Sequence, residues 1–181
     1  MNTKLRKVQI ITLVVASIVI AAALLWFIPR STRIDYTLTT SKIDRFGKEI
    51  GTTEIRIAGR KLDYLFQDSR VDFTIAPFDG LVWLKPALHA NTNQEGHLET
   101  AMENDILYTF YYGAHENFSS HDGMTQLRLG FSPDMDRWII INDSDRFYYV
   151  ASISGEYSAQ ELVEYFKPLI PGNWIADSAE P

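Results

Sequence analysis

The residues best suited to chemistry are four histidines, His89, His97, His115 and His121, two of which share a short polar stretch. "HENFSSHD" brings His115, His121 and Asp122 together, two imidazoles and a carboxylate of the kind that ligate a zinc-like ion. The separation of the two histidines matches neither one helical face nor a turn-defined ligand pair. Nothing nearby fixes the second hydrogen bond that a ligating imidazole needs. An ordinary polar loop is the plainer reading. His115, His121 and Asp122 stand as the metal candidates, and no cofactor is expected.

Ser120, His121 and Asp122 are the three residue types of a hydrolase triad, but adjacent residues on one loop cannot aim at one another in series. There is no G-x-S-x-G, no glycine-rich phosphate loop and no cysteine. The expectation is therefore a protein that is not an enzyme, with an anchored hydrolase as the third-ranked alternative. "DMDR" (residues 134–137) and "DSDR" (residues 143–146) pair aspartates as calcium sites do. They lack the ladder of oxygen ligands, the glycine and the terminal glutamate of an EF-hand loop, and Asp side chains also cap turns. Both read as turns.

Aromatic residues are the remaining feature. "LYTFYYG" and "RFYYVAS" carry Tyr108, Phe110, Tyr112, Phe147, Tyr148 and Tyr149, with Trp83 and Trp138 on neighbouring segments. Such a set lines an apolar pocket inside a barrel, forms a protein-binding face, or is simply core. The candidate binding residues are Tyr108, Phe110, Tyr112, Tyr148, Tyr149, Trp83 and Trp138. Strand alternation turns one of Tyr148 and Tyr149 outward, so part of the set should reach solvent.

The elements that must position these residues follow a period of two. "RIDYTLTT", "TTEIRIAG", "KLDYLFQD" and "RVDFTIAP" alternate apolar with polar residues, with breaks expected at Gly59-Arg60, Asp68-Ser69 and Asp79-Gly80. "LVWLKPAL" is a more buried strand ended at Pro86, and "LETAMEN" reads weakly as another. "ILYTFYY", "MTQLRLGF", "RWIIIND" and "RFYYVASIS" complete about nine strands with short connections, which implies antiparallel neighbours. Ser158 and Glu161 then form a capping box, with Tyr157 and Leu162 set as a hydrophobic staple. The short helix they open carries Leu162, Val163 and Phe166 on one stripe and ends at Pro168. The predicted fold is mainly β (α+β): an antiparallel meander sheet or partly open barrel covered by one C-terminal helix.

Ahead of this lies the run from Val8 to Ile28, in which only Gln9, Thr12 and Ser17 are polar. At about 1.5 Å per residue it spans a hydrocarbon core of roughly 30 Å. Trp26 and Phe27 fall at headgroup level, and Pro29 stops the helix. Ala21 and Ala23 also satisfy a signal-peptide cleavage pattern. A cut after Ala23 would leave Leu24, Leu25, Trp26, Phe27 and Ile28 exposed at the new end, which favours a retained anchor. Ser17 and Ala21, four apart and small, have the spacing that lets two such helices pack. Lys4, Arg6 and Lys7 put the N-terminal flank on the cytoplasmic side. The expected organisation is a cytoplasmic tail (1–7), a transmembrane signal-anchor (8–28), an extracytoplasmic β-rich domain (30–175) and a disordered tail (176–181).

Charge divides unevenly within a net −6. Residues 30–70 hold nine Lys/Arg against six Asp/Glu, a net of +3, while residues 71–181 hold five against seventeen, a net of −12. The acidic remainder excludes nucleic acid, and the basic membrane-proximal part suits a negatively charged lipid surface. The functional expectation is a single-pass, non-enzymatic protein of a bacterial-type envelope that binds a partner membrane protein or senses a small apolar ligand. The alternative is an anchored structural or assembly factor with no ligand. An apolar cavity above about 300 Å³ favours the ligand, and a filled barrel with an exposed aromatic strip favours assembly.

Overall fold

The computed structural model describes residues 3–65, 69–88, 95–100, 105–115, 124–172 and 174. The apolar run forms one helix, α1 (Thr3–Phe27), which begins before Val8 and ends where Pro29 removes a donor. It is long and apolar enough to cross a membrane, and its apolar stretch buries nothing against the rest of the chain. Only Ile28 and Pro29 separate Phe27 from the first strand.

Among the described residues, alternating positions then build nine strands: β1 (Arg30–Asp44), β2 (Glu49–Asp63), β3 (Arg70–Ile75), β4 (Leu81–Pro86), β5 (Glu99–Thr100), β6 (Leu107–His115), β7 (Met124–Phe131), β8 (Arg137–Asn142) and β9 (Phe147–Ser152). All pair antiparallel in the order β3-β2-β1-β9-β8-β7-β6-β4, with β5 added to β6. The sheet curls into a nearly closed barrel. Residues 95–100 help to close it, because Val71 N–H donates to Gly96 O (2.7 Å) and Leu98 N–H to Ser69 O (3.2 Å), while Glu99 and Thr100 pair with β6.

The expected break at Gly59-Arg60 does not occur: β2 runs through it to Asp63, so the start of "KLDYLFQD" continues the preceding strand, while residues 66–68 lie outside the described residues. Gly59 takes φ 149°, and a Cβ there would lie 2.1 Å from Asp72 O. The glycine marks a close backbone approach between β2 and β3 rather than a turn. Of the weakly predicted strand "LETAMEN", Glu99–Thr100 form β5, and residues 101–104 lie outside the described residues.

Two apolar layers hold the fold. Inside the barrel, Ile34, Leu38, Ile55, Ile57, Phe73, Leu127, Leu129, Phe131, Trp138, Ile140 and Tyr149 interdigitate. Outside it, Ile139, Ile141, Tyr148 and Val150 are covered by Leu162, Phe166, Leu169 and Trp174. This second layer is why "WIII" and "YYV" are apolar on both faces: odd and even positions face different cores. The covering helix, α2 (Ala159–Phe166), has the predicted capping box. Glu161 N–H donates to Ser158 Oγ (3.3 Å), and Ser158 N–H donates to Glu161 Oε2 (2.8 Å). Such a cap is worth about 1 kcal/mol, useful to a helix of 8 residues that could not stand alone. Tyr157 lies over the Arg137 guanidinium at 5.1 Å.

Candidate functional site

β6 decides which aromatics are core and which are surface. Thr109, Tyr111 and Gly113 point into the barrel, where Tyr111 is fully buried and its hydroxyl reaches Phe73 O on the opposite wall (3.3 Å). Burial drives the Tyr111 phenol pKa upward, so it stays a neutral donor. Gly113 is small for a reason: a Cβ there would lie 2.8 Å from Leu84 Cδ2. By alternation Tyr108, Phe110 and Tyr112 form the outer row of the same strand. The face of β6 richer in rings is thus the one turned away from the core.

Cross-strand register extends this row on both sides. Trp83 and Met124 oppose Ala114, Lys85 and Gln126 oppose Tyr112, and Arg128 opposes Phe110. Tyr108 and Phe110 meet edge to face at 5.9 Å. Tyr108 donates to Glu99 Oε2 (2.6 Å), and burial together with that carboxylate pushes its phenol pKa up to about 12. Arg128 borders the strip: its guanidinium lies 5.6 Å from the Phe110 ring, and its Nη1 donates to Leu169 O (2.6 Å) in the turn after α2. Tyr112 is 40% exposed and Leu88 58%, with Val82 and Met124 also open to solvent. Ala87, Leu88, His97, Phe110, Tyr112 and Gln126 help to line a groove of about 230 Å³ along this face. That is below the usual range for a small-molecule site.

The other nominated aromatics serve the core. Trp138 and Tyr149 are each 1% exposed inside the barrel. Tyr148 does face outward, as alternation allows, but it is also buried, because Trp174 stacks on its ring at 6.4 Å. Trp83 is half-buried and lies on β4 next to the strip. The accessible part of the set is therefore on β6, not on β9.

A second cluster gathers at the β3–β4 connection, where Asp79 takes φ 49°. Lys42 Nζ donates to Asp79 Oδ2 (2.7 Å), and the Tyr149 hydroxyl donates to the same oxygen. Burial raises the Asp79 pKa, but these two hydrogen bonds outweigh it and hold the carboxyl below its usual range. Burial and the Asp79 carboxylate push the Tyr149 phenol pKa far up. His115 stands beside them, with Nδ1 3.1 Å from Gly80 O and Nε2 3.6 Å from Asp145. The set brings a histidine and acidic side chains together, but its tyrosine is locked as a neutral donor and its aspartate is occupied by a cation. It acts as a latch across β1, β9 and the connection. Separations of 37 and 70 residues hid it from the sequence.

His121 and Asp122 lie outside the described residues, as do Glu116 and Ser120. Among the described residues no group of three or more His, Asp or Glu is arranged to hold a metal. The two aspartate pairs sit in turns: Asp134 accepts from the Ser132 hydroxyl and from Asp136 N–H (3.2 Å), and Asp145 N–H donates to Asn142 Oδ1 (3.1 Å). Compared with protein-family models, curated proteins and solved structures, the chain has no match.

Proposed function

We propose that this is a membrane-tethered, non-enzymatic protein whose barrel binds a partner membrane protein through the outer face of β6. The observation that carries this reading is the combination of a filled interior with an exposed strip of Tyr112, Leu88 and Met124 beside the half-buried Phe110. Rings on a surface rimmed by Lys85, Arg128 and Glu99 have the composition of an interface centre, apolar inside and charged outside. A ligand-sensing role draws less support, since Trp138, Tyr111, Tyr149 and Phe131 occupy the space that a ligand would need. An anchored assembly factor of the envelope is the form of partner binding that fits best.

On this reading α1 is the retained anchor, its basic start is cytoplasmic and the barrel is outside. The test is to alter the strip without touching the core. Full-length protein carrying Phe110→Ser and Tyr112→Ser should stay in the carbonate-washed membrane fraction and lose the partner that co-purifies with the wild type. Retention of that partner by the double variant refutes the assignment of this face. Release of the wild type by carbonate refutes the anchor.

A further inference from the structure

The barrel carries a second surface feature, on β1, β2 and β3 and close in sequence to α1. Ser31, Arg33 and Asp35 of β1, Ala58 and Arg60 of β2, and Asp72 of β3 surround an open hollow of about 470 Å³. Its floor is low because Ala58 and Gly59 contribute almost no side chain there. Register sets Arg33 directly opposite Arg60, and like charges in that position repel unless something anionic lies between them.

The acidic neighbours do not fully satisfy the pair. Arg60 directs both Nε and Nη2 to a single oxygen of Asp72, each at 3.2 Å. Among the described residues Arg33 pairs with Asp35 alone, at 3.6 Å and beyond good hydrogen-bond range, and Asp35 is shared with Arg56 at 3.7 Å. The Arg33 side chain is 86% exposed. Two guanidinium groups facing one shallow hollow suit a phosphate, which accepts paired N–H donors.

The chain itself indicates where that phosphate comes from. Arg33 is six residues beyond the end of α1, so even a fully extended connection keeps it within about 20 Å of the helix terminus. We propose that the Arg33–Arg60 hollow binds the phosphate of an anionic phospholipid in the leaflet that its own anchor enters. This rests on α1 being a membrane anchor. The contact would hold the β1–β3 side of the barrel down on the lipid surface.

The test uses the full chain in nanodiscs of phosphatidylcholine alone or mixed equally with phosphatidylglycerol, read by backbone hydrogen exchange. With phosphatidylglycerol, amides of residues 31–35 and 58–60 should exchange roughly fivefold more slowly. The protection should vanish at high salt and in the Arg33→Gln, Arg60→Gln variant. Unchanged exchange in β7 and β8 shows that the variant is folded. Equal exchange in the two lipids, or protection that survives in the variant, overturns the proposal. Inorganic phosphate giving the same protection on phosphatidylcholine discs overturns the lipid source. A chain that fails to enter either disc refutes the anchor instead, and the lipid site falls with it.

Discussion

Lys42 Nζ stands 2.7 Å from Asp79 Oδ2, and the Tyr149 hydroxyl donates to the same carboxylate oxygen. Through that oxygen the β3–β4 connection is tied to β1 and β9, on which Phe78 also packs edge to face against Tyr149 at 5.1 Å. The latch is ionic on one side and aromatic on the other, since Lys42 also lies 3.9 Å from the Phe147 ring.

The latch makes stability depend on acid. Burial works to raise the Asp79 pKa, but the Lys42 and Tyr149 hydrogen bonds win and leave it below the unfolded value. A carboxyl lowered in the folded state stabilises above the unfolded pKa of about 4, and that contribution is lost as pH falls through the folded value. The melting temperature should drop between pH 5 and pH 2, roughly the window in which such a group titrates. Asp79→Asn should lower it at pH 7 and reduce the difference between wild type and variant in acid. A difference that stays constant with pH would show that the carboxylate charge plays no part.

Gly59 gives a sharper steric test. Its modest substitution Gly59→Ala forces a Cβ toward Asp72 O, 2.1 Å away in the present backbone, at a φ that L-residues rarely adopt. The cost should be about 2 kcal/mol or more in urea unfolding. Gly51→Ala is the control, because a Cβ there meets nothing within 4 Å.

The inner and outer aromatics should separate cleanly by stability. Trp138→Ala, at 1% exposure, removes the centre of the interior cluster and should cost about 3–5 kcal/mol. Tyr112→Ala, at 40% exposure, should change stability by roughly 0.5 kcal/mol or less. Chemical denaturation of the two variants decides it. A large loss for Tyr112→Ala would make the strip part of the core.

Because α1 buries none of its apolar stretch on the barrel, removing residues 1–28 should release a folded, monodisperse domain. Circular dichroism and gel filtration report this. An aggregated product would mean that the barrel completes its core with a partner.

Period-two alternation made most strands visible, and Ser158 with Glu161 marked the start of α2, because these signals lie within a few residues. Besides the Asp79 latch, three features were hidden for physical reasons. Gly59 looks like a turn in sequence, and only the approach of β3 explains it. The row Tyr108, Phe110 and Tyr112 is more apolar than Thr109, Tyr111 and Gly113, yet the latter faces inward, where Leu84 takes the space beside Gly113. Tyr148 alternates outward as expected and is covered by Trp174, which arrives from beyond α2. Alternation tells which residues share a face; only the packing tells what covers it.

The central claim is that the outer row of β6 is where a partner protein sits. A photo-crosslinking amino acid at Tyr112 of the full chain, irradiated in native membranes, tests it directly. One discrete protein adduct is expected from Tyr112 and none from the same probe at Glu156, an exposed residue just before α2. The same adducts from both positions, or none from Tyr112, would contradict it.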